Sequence, residues 1–369
     1  MKNKKDLDIF FMNKALQFAE KGVYSTHPNP RVGAIVVKNN KILGQGYHRQ
    51  PGSHHAEYLA IKNSKNSCSS ATLYVTLEPC CHFGKTPPCS NLIIESKIKR
   101  VVISTIDPNP LVSGKSIKLL RKHGIKVDTG ILKNRSQSLN KGFFSRFNNL
   151  RPYVLVKSGI SLDGKIALQN NDSKWVTSVH SRKNVQKERA LCSAILTTSK
   201  TILSDNPKFT VRDKSLLTKI KRQPTLVILD SNLKLPSKMD VFKNLNRDII
   251  IFTSKQITKN ILSKYKKNVR LFTVPKYKKT LNLHKVMEIL SKEELNELLV
   301  ESGATLIGNL LRESLVDELI LYISPKILGN TAKTFSGLTH IQKLSQKINF
   351  QINDIIKIDN DLKLHLSRI

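Results

Sequence analysis

The N-terminal part of the chain alternates between two spacings of apolar side chains. Helical spacing, with apolar residues three and four apart, covers residues 7–21, 56–63, 90–96 and 116–123. Short apolar runs rich in β-branched residues predict strands over residues 32–37, 42–47, 73–77, 101–105 and 125–129. Asn39 and Asn40 predict the turn of a hairpin, and Gly124 ends the last helix. This order predicts an α/β fold with a mixed sheet covered by helices on both faces.

The pattern is interrupted over residues 141–152 and then restarts. Gly142, Asn148, Asn149 and Pro152 punctuate the segment, and a fresh strand is predicted over residues 153–157. A length of 369 residues allows two domains that each have a core. We therefore predict domains at 1–146 and 147–369, with no internal repeat.

A strand, a glycine turn and a helix in the second half indicate a possible phosphate site. The predicted strand 298–301 runs through Ser302 and Gly303 into a helix over 304–313, whose first amide groups favour an anion. Gly303 and Gly308 have P-loop spacing, but Asn309 stands where that motif requires lysine. No Gly-x-Gly-x-x-Gly follows a strand, so a Rossmann fold lacks its fingerprint. Ordinary packing explains the segment equally well.

The first half carries a set of residues that suits a zinc hydrolytic deaminase. His55 and Glu57 are followed after one strand by Cys80 and then, with eight residues between the two cysteines, by Cys89. One imidazole and two thiolates leave a fourth zinc position for water, whose pKa the ion lowers towards about 7. Glu57 is then placed to carry a proton from water to departing ammonia. His54, Cys81 and His82 are rival ligands, whereas Cys68 and Cys192 are expected to be small buried apolar residues.

Composition limits the compartment and the partners. The formal charge of +35 comes from lysines scattered along the whole chain, so we expect no nucleic-acid partner, whose footprint requires a clustered patch. The charged residues near the N-terminus exclude a secretory signal, and no apolar stretch reaches the length of a membrane span. Five cysteines make a disulfide framework improbable. We therefore expect a cytoplasmic enzyme with no membrane partner.

Several motifs together resemble the bifunctional riboflavin biosynthesis family, which joins a pyrimidine deaminase to a reductase. In the first half these are residues 27–33 (HPNPRVG), the segments around His55 and Cys80, residues 84–89 (GKTPPC) and 107–112 (DPNPLV). In the second half they are residues 157–167, 173–177, 205–212, 300–306, 316–321 and 325–329. The resemblance covers nearly the entire chain. It implies a cytidine-deaminase-like three-layer domain followed by a domain similar to dihydrofolate reductase.

The resemblance also implies cofactors and site residues. Zinc would serve the first domain, whose substrate site would comprise Asn29, His48, Lys85, Asp107 and Asn109. NADPH would be held in the second domain by Gly159, Trp175, Thr201, Asp205, Ser231, Gly303, Ala304, Thr305, Leu306, Ile307, Gly308 and Asn309. Its ribosyl substrate would be held by Ser173, Arg189, Phe209, Arg212 and Glu301. A small phosphoribosyl pyrimidine is then the substrate, and a homo-oligomer is the family expectation.

Alternatives remain at this point. For the Asp107 to Pro110 segment the alternative is a plain turn, for Trp175 a core aromatic, and for Arg189 a surface residue. Cys81, Phe83 and Ser302 depart from the family pattern, but none of them replaces a proposed ligand. The competing functions are a nucleoside or tRNA deaminase with an unrelated appendage, and a noncatalytic nucleic-acid-binding protein stabilised by zinc.

Overall fold

The structure is a computed structural model that describes residues 3–65, 68–84, 86–170, 172–278, 280–339 and 341–369. The chain divides into two compact units, residues 1–149 (unit 1) and 150–369 (unit 2). Among the helices of the described residues, none combines the length and the apolar character that crossing a membrane requires.

Unit 1 contains one five-stranded sheet. Its elements are α1 (Lys4–Glu20), β1 (Gly33–Lys38), β2 (Lys41–Tyr47), α2 (Ala56–Asn63), β3 (Thr72–Leu77), α3 (Cys89–Glu95), β4 (Arg100–Thr105), α4 (Lys115–Lys122), β5 (Lys126–Thr129), α5 (Lys133–Leu139) and α6 (Lys141–Asn148). The strand order is β2-β1-β3-β4-β5. β1 is antiparallel to both of its neighbours, and β3, β4 and β5 are parallel.

Helices cover both faces of this sheet, as the apolar pattern predicts. Met12 and Leu16 of α1 pack on one face with Ile35 of β1. On the other face, side chains of α2, α3 and α4 surround Val75 and Ile103. Each face buries a continuous apolar cluster, which is the usual source of stability for such layers. The helix α6 lies within the segment predicted as a break, because Gly142 and Asn148 are tolerated in it.

Glycine allows α2 to lie directly on β2. A Cβ atom on Gly44 would stand 2.1 Å from the Ala60 carbonyl oxygen, and one on Gly46 would stand 2.6 Å from the Ala56 carbonyl oxygen. Both obstacles are backbone atoms, so they cannot move aside without moving the helix. The close approach therefore sets the position of α2, which begins directly after His55 and contains Glu57.

Unit 2 contains a nine-stranded sheet. Its elements are β6 (Tyr153–Ser161), β7 (Lys165–Ala167), α7 (Val179–Leu191), β8 (Ala194–Thr198), α8 (Ser199–Asp205), α9 (Lys214–Leu217), β9 (Thr225–Leu229), a 3-10 turn (Asp240–Phe242), β10 (Ile249–Thr253), α10 (Lys259–Leu262), β11 (Val269–Thr273), β12 (Lys276–Tyr277), β13 (Thr280–Leu281), α11 (Leu283–Lys292), β14 (Glu297–Val300), α12 (Ala304–Arg312), β15 (Glu318–Ser324), β16 (Lys333–Thr334), a second 3-10 turn (Leu344–Gln346), β17 (Phe350–Ile358) and β18 (Asp361–Arg368).

The strand order of this sheet defines the edge at which a ligand can bind. The order is β11-β10-β9-β8-β14-β6-β15-β18-β17. The strands from β11 to β15 are parallel, and only β18 and β17 run antiparallel to their neighbours. Parallel strands bring their carboxyl ends to one edge of the sheet, where α/β proteins bind ligands. The residues that follow β8, β9 and β14 therefore meet at that edge.

Candidate active sites

Three residues of unit 1 bring their ligand atoms together. Nδ1 of His55 lies 3.4 Å from Sγ of Cys80 and 3.3 Å from Sγ of Cys89. The three ligand atoms all lie within 4.8 Å of one another. Within the part of the chain that the structure describes, this is the one group of three or more His, Cys, Asp or Glu residues arranged to hold a metal. One imidazole and two thiols are donors that zinc favours.

Local backbone structure aims these side chains. His55 is the residue before α2, Cys89 is the first residue of α3, and Cys80 lies in the loop after β3. The Cys89 amide donates a hydrogen bond to Sγ of Cys80 at 3.3 Å. Hydrogen bonding with the Cys89 side chain is the largest cause that lowers the pKa of Cys80 to about 4. A thiolate, the form that binds metals, is therefore available at neutral pH.

Glu57 lies beside the ligands but is not one of them. It is in the first turn of α2 and is only 3% exposed. Burial raises the pKa of the Glu57 carboxyl, whereas the charge of His55 lowers it by a smaller amount. The Glu57 side chain also shares a hydrogen bond with the Cys89 side chain. A buried carboxyl whose pKa is raised holds a proton more readily than an exposed one, which suits a general acid and base.

The rival ligands lie elsewhere. His54 is exposed and stacks on Tyr58, with ring centroids 3.9 Å apart. Sγ of Cys81 contacts the Leu111 carbonyl oxygen at 3.8 Å, and His82 is half-buried outside the ligand group. Side chains of residues adjacent to Cys80 thus point away from the cluster that Cys80 joins.

Two predicted substrate residues lie next to the ligand His55. Nδ2 of Asn29 is 3.0 Å from Nε2 of His48, and the rings of His48 and His55 meet edge to face at 5.4 Å. Burial is the main cause that lowers the pKa of His48 to about 4. His48 is therefore neutral at pH 7, with Nε2 accepting from Asn29 and Nδ1 donating to the His54 carbonyl oxygen at 3.3 Å. This arrangement fixes Asn29 beside the cluster.

Asp107 and Asn109 follow β4 at the same edge of the sheet. Asp107 is 8% exposed, accepts a hydrogen bond from the Asn109 amide at 2.8 Å, and has a pKa that burial raises to about 7. Its own amide lies 3.3 Å from the carboxylate of Glu78, two residues before Cys80. Residues 107–109 thus form a hydrogen-bonded turn that is attached, through Glu78, to the segment that carries Cys80. Lys85 lies outside the described residues.

Unit 2 has a cavity of about 1080 Å³ at the carboxyl ends of its parallel strands. Its walls include every residue predicted for the ribosyl substrate, namely Ser173, Arg189, Phe209, Arg212 and Glu301. They also include most of those predicted for the coenzyme, namely Gly159, Trp175, Thr201, Asp205, Ser231, Gly303, Ala304, Thr305, Leu306 and Asn309. Trp175 is 62% exposed, so it is not a core aromatic.

Ile307 and Gly308 do not line this cavity. Ile307 is fully buried in the apolar core, and a Cβ atom on Gly308 would stand 2.8 Å from the backbone of Gly337. The glycine at 308 therefore allows α12 to pack against the chain at Gly337, rather than to approach a ligand. Of the residues 303–309 expected to hold the coenzyme, these two thus lie on the core side of α12.

A buried ion cluster forms one wall of the cavity. Glu301 accepts hydrogen bonds from Arg189 Nε at 2.6 Å and Nη2 at 3.0 Å, and Lys157 Nζ lies 3.8 Å away. Burial by itself would raise the pKa of Glu301, but the charges of Arg189 and Lys157 hold it below its usual value. Arg189 is 9% exposed, so it is not a surface residue. The cluster presents charged groups to the cavity in fixed positions.

Arg182 and Lys157 are two of the cationic residues that line this cavity and that the sequence pattern does not single out. Arg182 lies over the ring of Trp175 at 4.1 Å and donates to the Thr177 carbonyl oxygen at 2.6 Å. Lys157 begins one of the family-like motifs, and this position is a signal that it belongs to the site. With 62 lysines and arginines in the chain, no single one stands out by type.

Comparison with known proteins assigns each unit to a class. Residues 5–105 match the cytidine and deoxycytidylate deaminase zinc-binding region, and residues 152–364 match the RibD C-terminal domain. The chain therefore combines a deaminase domain with a reductase domain.

Relatives match across both domains. The riboflavin biosynthesis protein RibD of Buchnera aphidicola is 41% identical, with 98% of each chain covered. That of Escherichia coli is 38% identical, covering 97% of this chain and 99% of the relative. The structure of Acinetobacter baumannii RibD (form 2) matches with a TM-score of 0.91 at 32% identity, covering 100% of both chains. A Thermotoga maritima diaminohydroxyphosphoribosylaminopyrimidine deaminase/5-amino-6-(5-phosphoribosylamino)uracil reductase matches with a TM-score of 0.86 at 34% identity, again over 100% of both.

This chain belongs to the RibD family of riboflavin biosynthesis proteins. It is a bifunctional deaminase and reductase, and the predicted α/β fold class and family are confirmed. A deaminase with an unrelated appendage is disfavoured because the relatives match both halves.

Proposed function

We propose that unit 1 deaminates 2,5-diamino-6-(5-phosphoribosylamino)pyrimidin-4(3H)-one and that unit 2 then reduces the ribosyl group to ribityl with NADPH. The product is 5-amino-6-(5-phosphoribitylamino)uracil. The observation that carries the proposal is the ligand cluster of His55, Cys80 and Cys89 with buried Glu57 beside it. The activities named for the Thermotoga relative support the substrate class.

The donor set of unit 1 fits zinc. His55, Cys80 and Cys89 would hold the ion, since they offer one nitrogen and two sulfurs within 4.8 Å of one another. Zinc held by three protein ligands activates water for hydrolysis at neutral pH. The thiolate character of Cys80 suits this task.

Glu57 supplies the proton transfers of the deamination. Hydrolysis consumes one water and releases one ammonia, so a proton must move from the attacking water to the departing amino group. Glu57 accepts that proton on its carboxylate and passes it to the leaving nitrogen. Its burial keeps the carboxyl away from bulk water and raises its pKa, which favours holding the proton between the two steps.

The remaining residues of unit 1 hold the substrate. His48 holds Asn29 beside His55, and Asn29 suits hydrogen bonds to the pyrimidine ring. Asp107 and Asn109 suit the sugar hydroxyls, because they follow β4 in a fixed turn. Lys85, outside the described residues, remains the proposed phosphate ligand.

In unit 2, the cavity wall divides between coenzyme and substrate. NADPH, when bound, supplies the hydride. The residues that would place it are Gly159, Trp175, Thr201, Asp205, Ser231, Gly303 and the α12 residues Ala304, Thr305, Leu306 and Asn309. Ser173, Arg189, Phe209, Arg212 and Glu301 would place the ribosyl phosphate, for which an arginine fork is well shaped.

We also propose a homo-oligomer through the edge of the unit 2 sheet. β17 is the edge strand, and Ile352, Ile355 and Ile356 on it are exposed. A long apolar edge strand favours pairing with another chain. We further propose that the protein is cytoplasmic, because reducing surroundings keep the thiols of the metal site from forming disulfides. We propose a small molecule as its partner, and neither a nucleic acid nor a membrane.

The test is to mix the protein with the pyrimidine phosphate and, separately, with free nucleosides and tRNA. We expect ammonia from the pyrimidine phosphate, and NADPH oxidation that follows its release. Ammonia from nucleosides or tRNA alone would contradict the proposal. Zinc binding with neither activity would favour a noncatalytic role.

A further inference from the structure

Glu78 is a buried carboxylate that the deamination chemistry does not use. It follows β3, lies two residues before Cys80 and is 3% exposed. Its amide donates to the carbonyl oxygen of Thr105, the last residue of β4, at 3.0 Å. Because β3 and β4 are parallel neighbours, the segments that follow them leave the sheet side by side.

The carboxylate of Glu78 receives three hydrogen bonds from the segment after β4. Oε2 accepts from the amide of Asp107 at 3.3 Å and from the amide of Gly114 at 2.9 Å. Oε1 accepts from Oγ of Ser116 at 2.8 Å. Asp107 and Gly114 lie near the two ends of the loop between β4 and α4, so the Glu78 side chain is hydrogen-bonded to both ends of this loop.

The middle of that loop is fixed by its own bonds. Oδ1 of Asp107 accepts from the Asn109 amide at 2.8 Å, and Oδ1 of Asn109 accepts from the Leu111 amide at 3.0 Å. These bonds give the turn its shape but do not set its distance from Cys80. The bonds to Glu78 set that distance, since Glu78 and Cys80 share one short stretch of backbone through Pro79.

We propose that Glu78 is a positioning residue of the deaminase, which holds Asp107 and Asn109 at a fixed place relative to the Cys80 ligand. The inference rests on the proposed function, because it assigns Asp107 and Asn109 to substrate binding. Without the Glu78 carboxylate the ligands remain, but the loop that meets the sugar loses three hydrogen bonds to the Cys80 segment and keeps the long contact, 3.8 Å, between Sγ of Cys81 and the Leu111 carbonyl oxygen. Substrate binding then weakens more than metal binding does.

Asp8 offers a matched control in the same unit. It is a buried carboxylate, 6% exposed, that accepts three hydrogen bonds, two from Arg100 and one from Tyr74, each at 2.7 Å. Arg100 is the first residue of β4, so this carboxylate lies at the opposite end of the strand from the loop. A purely structural role for Glu78 would make Glu78→Gln and Asp8→Asn behave alike.

The experiment compares Glu78→Gln, Asp8→Asn and Ser116→Ala with the unaltered protein. Zinc content, melting temperature, and kcat and KM for ammonia release from the pyrimidine phosphate are measured. We expect both carboxylate variants to melt at lower temperature and to keep zinc. Of these two, Glu78→Gln alone should raise KM, by about tenfold, because it loses a charge-assisted bond to the loop. Ser116→Ala should raise KM by about threefold, since it removes one neutral donor.

Equal KM values for Glu78→Gln and Asp8→Asn would overturn the proposal, as would loss of zinc from Glu78→Gln alone. If Glu78→Gln does not fold, Ser116→Ala decides, and an unchanged KM overturns the proposal. Hydrogen exchange over residues 107–114 gives a readout independent of turnover, and should accelerate in Glu78→Gln but not in Asp8→Asn. If the unaltered protein releases no ammonia, the proposed function fails, whereas the exchange result still judges the role of Glu78.

Discussion

The two units assemble their reactive groups in opposite ways. In unit 1, three ligand atoms within 4.8 Å of one another come from short segments between residues 55 and 89. In unit 2, a cavity of about 1080 Å³ is lined by residues spread from Lys157 to Lys333. A metal site needs a few ligand atoms close together, whereas a coenzyme and a sugar phosphate need an extended binding surface. Single substitutions should therefore disable unit 1 more completely than unit 2.

The largest expected effect is removal of a zinc ligand. Cys89→Ser should abolish zinc binding and lower the rate of ammonia release by about a thousandfold or more, because the water is no longer activated. Metal analysis and an ammonia assay check this. Cys68→Ser is the matched control, since Cys68 is a buried free cysteine of the same unit outside the ligand group. Full zinc occupancy in Cys89→Ser would contradict the expectation that a single substitution disables unit 1 more completely than unit 2.

A second effect is expected in unit 2. Glu301→Gln should lower the rate of NADPH oxidation by about a hundredfold and cost about 3 kcal/mol of stability, because Arg189 and Lys157 lose the charge they pair with. Reductase kinetics and urea unfolding check it.

The control for that change is Glu318→Gln. Glu318 is also buried, and it accepts from the Tyr153 hydroxyl at 2.9 Å, but it does not line the cavity. The Glu318→Gln variant should have a lower free energy of unfolding, while its rate of NADPH oxidation stays unchanged. Equal kinetic losses in both variants would contradict a specific role for the Glu301 cluster.

A smaller effect concerns the packing that carries Glu57. Gly44→Ala should destabilise unit 1 by about 2 kcal/mol and slow the deaminase, because its Cβ would meet the Ala60 carbonyl oxygen at 2.1 Å. Gly124→Ala should cost about 1 kcal/mol through its positive φ of +77° alone and leave deaminase kinetics unchanged. Kinetics that change equally in both variants would remove the link between α2 placement and catalysis.

The smallest effect is a titration. Burial raises the pKa of Asp107 to about 7. Carboxyl carbon-13 NMR should therefore show one aspartate titrating near neutral pH, and Asp107→Asn should remove that signal. A midpoint for Asp107 near its usual value, 3.8, would show that the turn is more open to water than its burial indicates.

Sequence predicts the first site better than the second for a physical reason. His55, Cys80 and Cys89 are rare residue types at short spacing, so the ligand group could be predicted. The role of Glu78 could not, because it depends on contacts with residues 107–116 that only the parallel pairing of β3 and β4 creates.

In unit 2, the limit is the orientation of elements. The pattern predicts the helix over residues 304–313 but not which of its sides faces the core, so it does not separate Ile307 and Gly308 from the residues that line the cavity. Lys157 and Arg182 were missed because basic residues are abundant everywhere in the chain. The sequence pattern over residues 141–148 predicts a break rather than the α6 helix, because glycine and asparagine mark loops more often than helices.

The most direct test of the central claim, that each unit carries one reaction with its own residues, is a double assay of Glu57→Gln. We expect it to keep zinc and to lose ammonia release by about a hundredfold or more, since the proton carrier is gone. NADPH oxidation on the already deaminated pyrimidine should match that of the unaltered protein. A Glu57→Gln protein that still deaminates at the original rate, or that loses both reactions while folded and zinc-loaded, would contradict the account.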